Sequence, residues 1–211
     1  FGRITGIDIE GETAGILPSS DWKLKRFGKE WLTGETPSIG IGQGYNAFTV
    51  LQLVRATAAL ANGGKLLRPR LVKSVENPQT GEQVELAAIV ERKLDLEQQW
   101  LDVVHDALVE VNRSGTGARV MAGVPYSVAG KTGTAQVFSV KQGEVYEEGK
   151  VSERLRDHSL YIAYAPADNP KVVVAVVVEN GGFGAAAAAP LARKVFDYLL
   201  VTRKKEGREL P

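Results

Sequence analysis

The most informative stretch of the sequence is residues 129–137, which read Ala129-Gly130-Lys131-Thr132-Gly133-Thr134-Ala135-Gln136-Val137. This stretch predicts a β-strand at the edge of a sheet. Side chains alternate between the two faces of a strand, so Lys131 and Gly133 share one face while Thr132 and Thr134 share the other. Glycine at position 133 removes a side chain at a point where another backbone could approach.

These residue types suit the binding of a peptide that ends in a carboxylate. An ammonium group beside hydroxyls can hold a carboxylate through charge-assisted hydrogen bonds. The exposed edge of a sheet also offers backbone N–H and C=O groups to an extended peptide. The alternative is an ordinary polar strand that contains a lysine, because Lys-Thr-Gly consists of three common residues.

The strand that contains this stretch is predicted over residues 126–138, and two more strands and a helix are predicted downstream of it. The strands cover residues 158–165 and 171–179, and the continuous β-branched run in the second predicts a central strand. A glycine-rich turn at 181–184 leads to a closing helix over about 186–201. The charged, glycine-containing residues 139–157 predict a loop or hairpin.

Two helices are predicted upstream. Residues 95–111 form an amphipathic helix capped by Asp95, whose apolar stripe comprises Leu96, Trp100, Val103, Val104, Ala107, Leu108 and Val111. Residues 49–61 form a second helix, in which Thr49 and Gln52 have the spacing of a capping box. This helix is apolar nearly all round, which predicts burial.

The remaining segments complete an α+β pattern. Residues 1–45 are rich in Gly, Pro and Thr and predict loop with short elements, and residues 65–92 predict strands with a turn at 77–81. Helices come first, an antiparallel sheet follows, and a helix closes the chain. This order predicts an α+β fold, with an antiparallel sheet flanked by helices.

Composition excludes several classes of function. The 211 residues carry a formal net charge of +1, which gives no field to attract nucleic acid. The chain has no cysteine, so a disulfide, a thiolate zinc site and a cysteine nucleophile are excluded. It has two histidines, His105 and His158, too few for a typical histidine metal site. We therefore expect no metal and no cofactor.

Further segments accompany Lys-Thr-Gly in a known family. They are Thr5-Gly6-Ile7-Asp8, Gly11-Glu12, Gly34-Glu35-Thr36, Gly40-Ile41-Gly42-Gln43-Gly44-Tyr45, Thr49-Val50-Leu51-Gln52-Leu53, Glu153-Arg154-Leu155-Arg156-Asp157-His158 and Glu179-Asn180-Gly181-Gly182. With the Lys-Thr-Gly strand they resemble the class B penicillin-binding proteins of the cell-elongation type, over nearly the whole chain. One departure is Val50, where the family often has proline at the first helical position.

The resemblance implies a penicillin-binding transpeptidase fold, like that of the serine β-lactamases, and a serine D,D-transpeptidase activity. Such enzymes attack the D-Ala-D-Ala end of a peptidoglycan stem peptide with a serine, release the last D-Ala and pass the acyl group to an amine. β-Lactams acylate the same serine. Carried onto this chain, Lys131 is the catalytic lysine that binds the carboxylate and tunes the proton network. Thr132, Gly133, Thr134 and Ala135 bind substrate, and the backbone N–H of Thr134 forms half of the oxyanion hole.

The nucleophilic serine and the second motif of the family, Ser-x-Asn or Ser-x-Asp, are expected upstream of this chain. Ser20 and Lys23 have the Ser-x-x-Lys spacing, but we interpret this as a chance match in an exposed segment. We therefore expect residues 1–211 to be the C-terminal portion of a transpeptidase domain, inactive by itself. The resemblance also implies a membrane anchor outside this chain, the periplasmic face of the inner membrane, and the rod-shape glycosyltransferase machinery as a partner.

Three alternatives remain open at this point. The parent protein could be a D,D-carboxypeptidase or a serine β-lactamase, although the segments at 5–12 and 40–53 argue against both. It could also be a non-catalytic binding or sensor module of the same fold. Finally, the chain could be a structural fragment without activity of its own.

Other features of the sequence favour structural roles. His158 is expected to make a structural hydrogen bond rather than transfer protons, and His105 is expected to be structural or exposed. The glycines at 40, 42 and 44 do not have the spacing of a dinucleotide-binding loop and indicate a tight packing loop. The turn at 114–117 lacks the residues that follow in a phosphate-binding loop.

Overall fold

The computed structural model describes residues 1–137, 151–208 and 210, and it shows an α+β fold in two compact units. The first unit comprises residues 1–55 and 65–94, and the second comprises residues 56–64 and 95–211. The sequence predicted helices with an antiparallel sheet, which is confirmed, but it did not predict the division into two units.

The first unit contains short helices and two small antiparallel sheets. The helices are α1 (Ser20–Phe27), α2 (Glu35–Gly40) and the first half of α3 (Val50–Ala61). Strand β1 (Lys65–Leu67) pairs with β4 (Val90–Lys93), and β2 (Ser74–Glu76) pairs with β3 (Gln83–Glu85). The strands expected over 65–92 are therefore confirmed.

Helix α3 begins with the predicted capping box. The Thr49 hydroxyl accepts a hydrogen bond from the Gln52 N–H, and the Gln52 side-chain oxygen accepts one from the Thr49 N–H, both at 3.1 Å. The predicted burial of the whole helix is wrong. Gln52, Thr57 and Ala59 are buried, Val50 is exposed, and the other positions are half-buried.

Carboxylates hold the loops of the first unit together. Asp8 accepts hydrogen bonds from the N–H groups of Val72, at 2.9 Å, and Leu71, at 2.6 Å, and these bonds lower the pKa of its carboxyl. Glu91 binds Arg68 at 3.0 Å and also contacts Arg55, and these guanidinium groups lower the pKa of Glu91. A unit with few buried apolar side chains is thus joined by charge-assisted bonds.

The second unit carries a three-stranded antiparallel sheet between helices. Its elements are α4 (Gln98–Arg113), α5 (Ala118–Met121), β5 (Ala129–Ala135), β6 (His158–Ala165), β7 (Val172–Val178), α6 (Ala188–Phe196), which continues as a π-helical segment over Asp197–Thr202, and α7 (Arg203–Lys205). The strand order is β5-β6-β7. The edge position predicted for the Lys131 strand is confirmed within the described residues.

The central strand of this sheet is β6, so the prediction that residues 171–179 form the central strand is wrong. Strand β7 pairs with β6 and lies at the other edge of the described sheet. A β-branched run predicts strand conformation, but it does not specify the position in the sheet.

The two faces of the sheet pack against different helices. One face places Tyr161, Ala163 and Ala165 against the α6 residues Ala189 and Phe196, all of them buried. The other face places Ala129 and Tyr164 against Leu108 and Val109 of α4. Helices therefore cover both faces of the sheet, with α6 on one face and α4 on the other.

Helix α4 differs from its prediction at the N-terminus and along its apolar stripe. The residue before the first turn is Glu97, which makes no capping bond through its side chain, so Asp95 is not the cap. Trp100 and Val103 lie on the predicted stripe but are 60% and 59% exposed. Leu108 of the same stripe packs on the sheet, so the described residues cover only the C-terminal half of the stripe.

The loop predicted over 139–157 falls largely outside the described residues, which resume at 151. Residues Glu153–Leu155 form one 3₁₀ turn before β6. Among the helices of the described residues, none has both the length and the apolar character needed to span a bilayer.

Candidate active site

Strand β5 presents the Lys-Thr-Gly residues in the predicted alternation. Thr132 pairs with Tyr161 and Thr134 pairs with Ser159, and both partners are buried on the face that packs on α6. Lys131 is exposed on the opposite face. The sheet register therefore separates the lysine from the two threonines, as the sequence predicted.

The outer edge of β5 is defined by the backbone groups of alternate residues. The carbonyl of Gly130 accepts a hydrogen bond at 3.3 Å from the Asn112 side chain, which belongs to α4 and not to the sheet. In an antiparallel strand, residues two apart direct their N–H and C=O groups to the same side. The backbone groups of Thr132 and Thr134 therefore also face the outer edge. An N–H at this edge can bind an incoming oxygen atom, as an oxyanion hole requires.

Lys131 lies beside this edge. Its Nζ donates a 2.8 Å hydrogen bond to the carbonyl of Thr132. An ammonium has three N–H donors, so this bond leaves two of them for other acceptors. The lysine is thus held at the outer edge by its own strand while retaining capacity to bind an anion.

Glycine is required where the backbones of the site approach closely. A Cβ atom at Gly130 would lie 2.6 Å from the Ile162 carbonyl oxygen. A Cβ atom at Gly184 would lie 2.5 Å from the Gly133 carbonyl oxygen and 2.4 Å from that of Leu160. The Gly184 backbone, in the turn that precedes α6, therefore lies directly against the strand. A Cβ atom at Gly133 itself would meet only the Cβ atom of Leu160, at 3.3 Å, so among the described residues no other backbone occupies the space left by its missing side chain.

Ser159 fixes that turn to the sheet. Its buried hydroxyl donates to the carbonyl of Phe183 and accepts from the N–H of Ala188, both at 3.0 Å. The first residue of α6 and the turn before it are thus bonded to the strand that pairs with β5. Sequence reasoning missed this serine, because nothing in its local pattern marks it as buried.

Asn112, at the end of α4, joins the strand to the sheet interior. Besides binding Gly130, it donates to the Leu108 carbonyl at 3.0 Å, and its oxygen accepts from the Tyr161 hydroxyl. Burial raises the pKa of Tyr161 well above its ordinary value, so the hydroxyl remains a donor. Asn112 is a second residue that sequence reasoning missed.

The turn after α4 reaches the site through Thr116. Its hydroxyl lies 2.8 Å from that of Thr132. The turn is packed tightly, because a Cβ atom at Gly117 would lie 2.3 Å from the side-chain oxygen of Asn112. The predicted break of the helix at 114–117 is confirmed, with Ser114 following the last helical residue.

The Ser20–Lys23 pair has a different arrangement from that of a nucleophile and its base. Lys23 is buried and donates to the Glu35 carboxylate and to the Glu30 carbonyl, both at 2.7 Å. Its bond lowers the pKa of Glu35. Ser20 is exposed at the start of α1. The lysine therefore serves an ion pair in the first unit, which agrees with a chance match.

A match to the Ser-x-Asp spacing that sequence reasoning overlooked is Ser19-Ser20-Asp21. Ser19 is the N-cap of α1, and its hydroxyl accepts from the Trp22 N–H at 3.1 Å. This bond satisfies one of the backbone donors that a helix start leaves unpaired. The role of Ser19 as the cap of α1 therefore explains the Ser-x-Asp spacing at this position.

Both histidines make hydrogen bonds within the second unit. The Nδ1 of His158 accepts from the backbone N–H of Asn180 at 2.9 Å, which confirms the structural bond expected for this residue. His105 lies 2.8 Å from the Tyr164 hydroxyl through its Nδ1. In the loop at 40–44, Gly42 and Gly44 have positive φ, and the Asn46 side chain donates to the carbonyls of Ile39, in α2, and Gln43, in the loop. This is the tight turn that the glycines predicted.

Comparison with known proteins identifies relatives over most of the chain. Residues 1–197 match the model of the penicillin-binding protein transpeptidase domain. The peptidoglycan D,D-transpeptidase MrdA of Haemophilus influenzae is 44% identical over 204 residues, which are 96% of this chain and 31% of the relative. The chain therefore spans about a third of the length of the curated relatives it matches.

Solved structures share the fold. Pseudomonas aeruginosa PBP2, solved in complex with WCK 5153, superposes with a TM-score of 0.74 at 35% identity, over 100% of this chain and 43% of that chain. Helicobacter pylori PBP2, solved in complex with MreC, has a TM-score of 0.73 at 29% identity, over 95% of this chain and 34% of that chain.

Proposed function

Because this chain belongs to the penicillin-binding protein transpeptidase family, we propose that it is the C-terminal part of a peptidoglycan D,D-transpeptidase that cross-links stem peptides during cell-wall elongation. The observation that supports the proposal is the outer edge of β5, where the Lys131 ammonium lies 2.8 Å from the Thr132 carbonyl, two residues along the strand from Thr134. The edge suits a peptide that ends in a carboxylate and has a carbonyl to be attacked.

Each residue of the strand has a distinct role in this proposal. The Lys131 ammonium binds the terminal carboxylate of D-Ala-D-Ala. Its positive charge also acts on the groups that transfer protons during the reaction. The hydroxyls of Thr132 and Thr134 donate to the same carboxylate. The Thr134 N–H donates to the oxygen of the attacked carbonyl as it becomes negative. Gly133 and Ala135 have no side chain or a small one, so they leave room for the peptide beside the strand.

The reaction proceeds in two acyl transfers. A serine hydroxyl attacks the carbonyl of the penultimate D-Ala, forms an ester and releases the last D-Ala as the free amino acid. An amine of a neighbouring stem peptide then attacks the ester, forms an amide and returns the proton to the serine. A β-lactam presents its ring carbonyl to the same serine and leaves a stable ester.

The serine and the second family motif belong, in this proposal, to the part of the parent protein that precedes residues 1–211. This chain then supplies the Lys-Thr-Gly strand and is inactive by itself. The complete protein would be anchored in the inner membrane and face the periplasm, with the rod-shape machinery and its glycosyltransferase as partners. The complex of Helicobacter pylori PBP2 with MreC supports an assembly of this kind.

Intact-mass spectrometry with benzylpenicillin tests the proposal. The full-length gene product should gain the mass of one penicillin, whereas the 22.7 kDa chain should gain none. A Lys131→Gln substitution in the full-length protein should slow acylation about a hundredfold, since it removes a hydrogen bond between charged groups. The matched control is Lys171→Gln, an exposed lysine before β7, which should leave the rate unchanged.

Two results would contradict the proposal. The first is a full-length protein that takes no penicillin, which would favour a binding or sensor module. The second is an adduct on the 22.7 kDa chain that maps to Ser20, which would make Ser20 and Lys23 the catalytic pair.

A further inference from the structure

We propose that Thr116 is a positioning residue, which acts through Thr132 to orient a hydroxyl toward the carboxylate of the substrate. This role rests on the proposed function and adds a residue outside the Lys-Thr-Gly strand to it. The observation behind it is the 2.8 Å contact between the two hydroxyl oxygens, which joins the turn after α4 to β5.

A hydrogen bond between two hydroxyl groups can determine which of the two donates to a third group. A threonine hydroxyl has one hydrogen to donate and two lone pairs to accept with. When two such groups bond to each other, one O–H is consumed and one O–H stays available. A carboxylate has only acceptors, so it selects the arrangement in which Thr116 donates to Thr132 and Thr132 donates to the carboxylate. Without Thr116, the Thr132 hydroxyl loses the donor that favours this orientation.

The turn is built to hold Thr116 in place. The N–H of Gly115 donates to the Glu110 carbonyl at 3.1 Å, and the N–H of Gly117 donates to the Val111 carbonyl at 2.9 Å. A Cβ atom at Gly115 would lie 2.9 Å from the Cα atom of Val111, so the turn lies directly on the end of α4. Thr116 is therefore attached to the helix by backbone bonds on both sides.

The same helix end also holds β5 at a second point. Asn112 donates to the Gly130 carbonyl, two residues before Thr132 on the same edge of the strand. The end of α4 thus fixes both the backbone and one hydroxyl of β5. Asn112 is buried and also bonds the Tyr161 hydroxyl, so its substitution would disturb the core. Thr116 is exposed, so a substitution that removes its hydroxyl leaves the packing of the core unchanged.

The rate of acylation tests this role in the full-length protein, with benzylpenicillin and its methyl ester as probes. The two compounds differ in whether the carboxylate can be bound as an anion. Thr116→Val keeps the shape and removes the hydroxyl, and it should slow acylation by benzylpenicillin about fivefold, the effect of one neutral hydrogen bond. Thr116→Ser should restore the rate, and neither variant should change the slower reaction of the methyl ester.

Thr202→Val, an exposed threonine at the end of the π-helical segment, is the matched control and should react like the unaltered protein. An unchanged rate for Thr116→Val would overturn the role of Thr116 while leaving the proposed function intact. So would equal slowing by Thr116→Ser, or equal slowing of the methyl ester, because either result would point to shape rather than to the hydroxyl. An unaltered protein that takes no benzylpenicillin would overturn the proposed function, and this role with it.

Discussion

At the scale of single residues, Gly184 shows how closely the site is packed. The nearest atoms to a Cβ at this position are backbone atoms of Gly133 and Leu160, which belong to paired strands and cannot move independently. A side chain at this position would therefore separate the turn before α6 from the strand that carries Lys131.

We expect Gly184→Ala to lower the free energy of unfolding by about 2 kcal/mol, as overpacking does in a well-packed interior. Thermal unfolding measures the effect. The control is Gly40→Ala, because a Cβ atom at Gly40 meets no neighbouring atom within 4 Å and its φ is not positive. Equal unfolding temperatures for the two variants would contradict this expectation, because they would show that the turn before α6 accommodates an added methyl group without loss of stability.

The residues of the site were only partly predictable. The Lys131 strand was found because its residue types and order are local information. Asn112, Thr116 and Ser159 were missed, since each acts on a residue at least 16 positions away in the sequence. A pattern of neighbours cannot show such a contact.

At the scale of elements, the start of α3 was predictable because its capping box is a local sequence pattern. The capping box of α3 was predicted from Thr49 and Gln52 and is present. The start of α4 was misplaced because Glu97 makes no such bond. Residues 1–45 were predicted to be loop with short elements, and α1 and α2 are such short elements. Their positions, including the Ser19 cap of α1, were not predicted, since the glycine and proline content indicated mainly loop.

We expect Thr49→Ala to destabilise the protein by about 1 kcal/mol, because it leaves the N–H of Gln52 without its acceptor. Thr49→Ser keeps the oxygen and should restore most of the loss. Denaturant unfolding of both variants measures the difference. If serine proved as damaging as alanine, the methyl group of Thr49 rather than its oxygen would matter.

At the scale of the whole molecule, the α+β class was predictable from the order of elements, but the two units were not. Their boundary falls within α3 and at residues 64 and 94, where no change of composition marks it.

The units also differ in what stabilises them. The second has clusters of fully buried side chains, whereas the first relies on carboxylates such as Asp8, Glu35 and Glu91.

This difference predicts that the first unit is sensitive to acid. The pKa values of Asp8, Glu35 and Glu91 are lowered in the folded chain, from ordinary values of 3.8 for Asp and 4.5 for Glu. A lowered folded-state pKa stabilises the fold above the ordinary pKa, and this contribution is lost as the pH falls through the folded-state pKa. Stability should therefore decrease below about pH 4.5.

Tryptophan fluorescence can follow the first unit specifically. The three tryptophans are Trp22, Trp31 and Trp100, so Trp100→Phe leaves reporters in the first unit alone. In this background Glu91→Gln should lower stability at pH 7 and make it less dependent on pH. A transition that keeps the same midpoint from pH 7 to pH 3 would contradict the expectation.

The outer edge of β5 has a consequence for solubility. An unpaired strand edge is a template on which a second copy of the protein can add a strand, and charged side chains at an edge, lysine above all, oppose such pairing. Lys131 is exposed on the strand whose outer edge carries no further strand among the described residues. The ammonium that we assign to the substrate carboxylate therefore also acts as a gatekeeper against edge-to-edge aggregation, and its neutral variants should be less soluble than Lys171→Gln.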